Sequence, residues 1–177
     1  MADQEQLTRR ELIQISAAAA AVAVGAQHGA EGESVEKFFS QDEFAMLDEL
    51  TDLIIPTDDH SPGARAAGVA AYLDRRLAES IEDERKQQWH AGLKRVDALA
   101  REMQGVPFMK ATPEQRVAVL ARISRNEQSP QTPEERFFVE LKFSTADAYY
   151  SSKIGIHQEM EYKGNVLLPE FVGYEVR

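Results

Sequence analysis

The chain contains no cysteine, and that one absence removes several chemistries together. No disulfide can staple the fold, no thiol can serve as a nucleophile, and no thiolate can hold zinc or an iron–sulfur cluster. Haem attachment through C-x-x-C-H and lipoprotein anchoring through a cysteine are equally impossible. Phosphate loops are missing too: neither G-x-G-x-x-G nor G-x-x-x-x-G-K-[ST] occurs, so a nucleotide finds no backbone cradle. None of the four histidines, His28, His60, His90 and His157, has a glutamate three residues before it, which excludes the E-x-x-H pattern of a di-iron bundle. Serine, histidine and aspartate are all present, yet no G-x-S-x-G elbow frames a serine. Positive charge is in the minority. With 20 basic against 30 acidic residues the net charge is −10, the wrong sign for nucleic acid or an anionic membrane surface.

What is present is most distinctive at the N-terminus. Thr8-Arg9-Arg10-Glu11-Leu12-Ile13-Gln14 precedes an alanine-rich apolar run from Ile15 to Ala26. Paired Arg9 and Arg10, a polar residue, the aliphatic pair Leu12 and Ile13, and a weakly hydrophobic stretch ending in small residues form the pattern of a twin-arginine export signal, with a cleavage site at Val24-Gly25-Ala26. The bland alternative is the start of an ordinary cytosolic helix. A membrane span is disfavoured, because crossing takes about 20 strongly apolar residues and this run is shorter and mostly alanine. The expectation is a signal segment over 1–26, export to the periplasm in the folded state, and a polar linker over 27–37.

Residues 38–177 read as one all-α domain of about five helices with a long irregular C-terminal extension. Ser40-Gln41-Asp42-Glu43 is a capping box, and Phe44, Leu47, Leu50 and Ile54 continue it at helical spacing to about Leu53, where Pro56 ends it. Val69–Ser80 fits a short helix with Val69, Tyr72, Leu73 and Leu77 inward. Asp83–Gln104 fits a longer one with the stripe Trp89, Leu93, Val96, Leu99 and Met103, in which Trp89 reads as a core anchor. Thr112-Pro113-Glu114-Gln115 and Thr132-Pro133-Glu134-Glu135 repeat one start signal. The first opens a helix with the face Val117, Leu120 and Ile123; the second opens one with Phe137, Leu141, Thr145 and Ala148, ending near Ser151.

Two stretches are candidate binding elements. The loop from Pro56 to Val69 is long and punctuated by two prolines and two glycines, as contact loops often are. Its Asp58, Asp59 and His60 are too few, and too adjacent, to converge on a metal; they read as loop residues or partner contacts. The second stretch runs from Tyr149 to Tyr174. It carries Tyr149, Tyr150, Ile154, Tyr162, Asn165, Phe171 and Tyr174, more aromatic and aliphatic area than an aperiodic tail buries on itself, and aromatics are the usual interface anchors; the bland alternative is that the tail folds back to complete the domain's own core, Tyr149 first of all.

Read together, the twin-arginine pattern, Phe38-Phe39-Ser40, Ile54-Ile55-Pro56-Thr57-Asp58, Pro62-Gly63-Ala64, Ala67-Gly68-Val69, Tyr149-Tyr150-Ser151-Ser152-Lys153-Ile154-Gly155 and Tyr162-Lys163-Gly164-Asn165 resemble the gluconate 2-dehydrogenase subunit 3 family. The resemblance implies a non-catalytic small subunit of a periplasmic dehydrogenase. FAD would sit on a large subunit of the glucose-methanol-choline type and no cofactor on this chain. Electrons would pass to a cytochrome c, and membrane association would come through partners alone. The small subunit would supply the export signal and support folding of the flavoprotein. The tail lacks the cysteine that family members often carry, so no disulfide to a partner can form. The competing class is a free-standing exported helical binding module.

Overall fold

The computed structural model of the chain describes residues 37–164. The expected signal residues Arg9, Arg10, Leu12 and Ile13, and the tail residues Asn165, Phe171 and Tyr174, lie outside the described residues. Within them the protein is all-helical, with no strand. Five α-helices follow one another: α1 (Gln41–Ile54), α2 (Val69–Ala78), α3 (Asp83–Gln104), α4 (Pro113–Ser124) and α5 (Pro133–Tyr150). A 3-10 turn (Phe108–Lys110) sits between α3 and α4, and a π-helical turn (Gly155–Glu159) follows α5.

Three of the five helices begin with the same reciprocal cap. Ser40, Thr112 and Thr132 each accept a bond from the backbone N–H three residues on, and the side-chain oxygens of Glu43, Gln115 and Glu135 in turn accept one from the cap residue's own N–H. Each such cap removes two orphan donors and stabilises its helix by about 1 kcal/mol. The helices are then held by their apolar faces. Helix α5 is the central element, touching each of the other four. Its Phe137, Leu141, Thr145 and Ala148 are buried as the spacing predicts, but so are Phe138, Ser144 and Tyr149, because a helix packed on several sides buries more than one stripe. Leu47 and Leu50 of α1, Val96 of α3 and Val119 of α4 are fully enclosed around it. Trp89 is 1 % exposed and meets Phe137 edge to face at 5.6 Å, so it anchors the core.

Two inward assignments from periodicity are corrected. Met103 is 39 % exposed and Val117 is 52 % exposed. Helix α4 turns Val119 and Ile123 inward, leaving Leu120 at the edge and Val117 outside. Met103 lies in the last turn of α3, next to the Gly105 that ends the helix, and the core beneath that turn is closed by Ala100 and Phe108.

Candidate functional site

The loop after α1 is built rather than slack. The Asp58 carboxylate accepts the backbone N–H groups of His60 and Ser61, both at 2.9 Å, and the Thr57 hydroxyl accepts that of Gly63 at 2.8 Å. Those two backbone bonds also hold the Asp58 carboxyl below its usual range. Gly63 is required by close approach: a Cβ there would lie 2.5 Å from the Ile55 carbonyl oxygen and the Thr57 nitrogen. Beyond it, Arg65 grips α1 through Asp48, Glu49 and Asp52 at 2.7, 2.8 and 3.0 Å. Glu49 is shared with Arg116 of α4 at 2.7 Å. Burial alone would raise the Glu49 carboxyl, but the hydrogen bonds from Arg116 and Arg65 outweigh it and hold the group low.

This loop meets the segment after α5. The Tyr149 phenol donates to the Pro62 carbonyl at 2.7 Å, and its oxygen lies 2.7 Å from the Ser61 hydroxyl. The His60 ring, through Nε2, donates to the Glu159 carbonyl at 3.1 Å, with the Glu159 carboxylate 3.9 Å away. Gly155 lets the π-helical turn fold back on α5, since any Cβ there would collide with the Tyr149 carbonyl. Two stretches about 90 residues apart in sequence, each singled out as a contact element, therefore form one surface.

The individual residues divide on that surface. Pro56, Asp58, Asp59 and His60 are exposed. Tyr150 is 43 % and Tyr162 50 % exposed, and Met160, which the aromatic pattern did not single out, is 50 % exposed. Ile154 is half-buried against the core. Tyr149 is a correction. At 1 % exposure it belongs to the domain's own core, and its hydroxyl is used internally by the loop, so it supports the face from beneath instead of touching a partner. The clamp of Arg65 on three acids of α1 was missed, though Asp48, Glu49 and Asp52 at helical spacing before a loop arginine were visible in the sequence.

Asp58 is committed to backbone donors and His60 to Glu159, and among the described residues no group of three or more His, Asp or Glu side chains is placed to hold a metal ion. No described helix is long and apolar enough to cross a membrane.

The family model for gluconate 2-dehydrogenase subunit 3 matches residues 41–166. The chain belongs to that family. The match begins at the first residue of α1 and runs through the loop, all five helices and the π-helical turn. Gluconate 2-dehydrogenase subunit 3 is by its name one component of a multi-subunit dehydrogenase. No curated protein and no solved structure matches this subunit 3 chain at a significant level.

Proposed function

We propose that this chain is the non-catalytic small subunit of a periplasmic FAD-dependent dehydrogenase of the glucose-methanol-choline type, acting on a sugar, a sugar acid or a glycoside. The family match over residues 41–166 carries the reading. In it the flavin resides on a large partner subunit, this chain binds no cofactor, and electrons leave through a cytochrome c in the same complex. Arg9 and Arg10, with Leu12 and Ile13, direct the folded complex across the membrane by the twin-arginine route. The flavoprotein docks on the surface formed by the Pro56–His60 loop and the segment beyond α5, with Tyr150, Ile154 and Tyr162 beside the loop and Asn165, Phe171 and Tyr174 further along the chain.

Several features support this division of labour. The sequence has no phosphate-cradling loop, and the loop face is braced from below by Tyr149 and Arg65, a pre-organisation that lowers the entropy lost on association. The test is purification of the tagged chain from its native host. A yellow complex with a chain of flavoprotein size is expected; a colourless monomer, or stoichiometric flavin on the isolated small chain, would overturn the reading. Arg9→Lys with Arg10→Lys should trap both chains in the cytoplasm.

A further inference from the structure

Helix α3 carries the chain's single tryptophan, and its indole has one bond still to make. Trp89 is 1 % exposed, and of the buried side-chain nitrogens and oxygens among the described residues only its Nε1 has no hydrogen-bond partner. An indole N–H donates and cannot accept, so what it lacks is an acceptor. An unmet donor in the core costs free energy, and folded proteins generally meet it with a protein oxygen or an ordered water.

Trp89 lines a cavity of about 30 Å³ to which α2, α3 and α5 all contribute. The buried part of its lining is Trp89 itself with Leu73 and Leu77 of α2 and Ser144 of α5. Toward solvent the lining passes to Arg76, Phe143 and Asp147, which are exposed. Two acceptors stand in it. The Ser144 hydroxyl gives its hydrogen to the Glu140 carboxylate at 3.3 Å, which leaves its oxygen free to accept. The Asp147 carboxylate meets Arg76 at 2.9 Å through Oδ2 and keeps accepting capacity on its other oxygen. Neither bonds Nε1 directly. A bridging group that accepts once and donates twice would complete the set.

We propose that this cavity binds one water molecule, which accepts from the Trp89 Nε1–H and donates to the Ser144 Oγ and the Asp147 carboxylate. Size and valence both select water. A buried water typically makes about three hydrogen bonds, the number offered here. A cavity of about 30 Å³ admits it, whereas pockets for small molecules and cofactors run from roughly 300 Å³ upward. The bridge ties α3 to α5 beside the α2 arginine that pairs with Asp147, and it goes beyond the subunit reading without depending on it.

The single tryptophan makes the site directly observable, because the full chain labelled with ¹⁵N-tryptophan gives one indole resonance. A water cross-peak is expected at that N–H, of opposite sign in laboratory-frame and rotating-frame Overhauser spectra, the mark of a water held far longer than one in bulk. Ser144→Ala removes the only hydroxyl among the described residues lining the cavity, and with it a second source of exchangeable hydrogen. The peak should persist in this variant with a shortened residence time, since Nε1 and Asp147 still hold the water. Loss of the peak in Ser144→Ala would assign it to the hydroxyl and overturn the proposal. Absence of any water peak in the unsubstituted chain would overturn it too, and an upfield-shifted N–H would then place the donor on the face of the Phe137 ring, whose centroid lies 5.6 Å from that of Trp89.

Discussion

Tyr149 and Pro62 are joined by a hydrogen bond of 2.7 Å across 87 residues of sequence, and the same phenol oxygen lies 2.7 Å from the Ser61 hydroxyl. The phenol has one hydrogen, which goes to the carbonyl, so Ser61 donates to it. Tyr149→Phe removes both bonds and leaves the buried Ser61 hydroxyl only its longer, 3.4 Å bond to the Pro62 carbonyl, for an expected loss of about 1–3 kcal/mol. Urea unfolding measures that loss. Amide exchange places it, because the Gly63 and Ala64 N–H groups should lose protection before those of α3. A variant of unchanged stability with an equally protected loop would contradict this account.

The second latch between loop and turn is sensitive to pH. His60 is raised above its ordinary 6.5 first by the Glu159 carbonyl, then by the Glu159 carboxylate, with Glu161 and Asp58 adding to it. A raised value means the contact contributes fully below about 6.5 and is lost as pH rises through the folded-state pKa. NMR titration of the His60 ring should give a midpoint above 6.5. In Glu159→Gln the carbonyl persists and the carboxylate is gone, so the elevation should shrink without vanishing; a midpoint unaffected by that change would rule out the carboxylate's part.

Glu135 gives the opposite pH limb. Its side chain is buried, yet its oxygens accept from the backbone of Gln131 at 2.7 Å and Thr132 at 3.1 Å, from Asn126 at 2.7 Å and from Arg122 at 3.4 Å. The Gln131 N–H is the largest influence holding the carboxyl below 4.5, and burial, opposing it, is outweighed by the set of donors. Stability from this group is present above about 4.5 and is lost as pH falls through the lowered folded value. Glu135→Gln should reduce stability at neutral pH and flatten its decline in acid. Parallel acid limbs for the two proteins would show that Glu135 is not the residue titrating there.

Gly92 decides how closely α3 and α5 approach. A Cβ at this position would overlap the Phe137 ring, which is itself wedged against Trp89. Alanine favours a helix over glycine by about 1 kcal/mol, while overpacking a filled core costs about 1–3 kcal/mol. With Phe137 unable to retreat, the second effect should win and Gly92→Ala should be destabilising. Combining it with Phe137→Leu should recover part of the loss, as coupled neighbours do. Strict additivity of the two changes would mean that the ring can move aside.

Gly92 also marks where sequence reading stops. Helix starts were legible because a cap is local: Ser40 with Glu43, Thr112 with Gln115, and Thr132 with Glu135 state their geometry within four residues. Trp89 was legible because it begins a stripe. Gly92 was silent, since its reason is a ring 45 residues away. Val117 misled for a related cause: the stripes Val117-Leu120 and Val119-Ile123 are nearly equal in apolarity, and only the position of α5 selects between them. Both halves of the loop face were visible as stretches. Their union through His60 and Glu159 was not, because no local pattern encodes a contact across 99 residues.

That union changes where the chain should be cut to test docking. Removing everything after Ser152 would take away Ile154, which packs on the core, buried Gly155, and Glu159, which holds the His60 loop. Such a chain should lose stability by about 1–3 kcal/mol from the lost burial of one aliphatic side chain alone, and its failure to bind would be ambiguous. Ending after Gly164 instead leaves all the described packing intact while removing Asn165, Phe171 and Tyr174. If those residues help to hold the flavoprotein, the chain ending at Gly164 should match the full chain in helicity and cooperative urea unfolding and yet bind its partner more weakly. Because a buried aromatic anchor typically contributes about 2 kcal/mol or more, the dissociation constant should rise by at least an order of magnitude. Equal affinity for the two chains would confine docking to the loop, Tyr150 and Tyr162. Loss of cooperative unfolding in the chain ending at Gly164 would instead assign the last thirteen residues to this domain's own core.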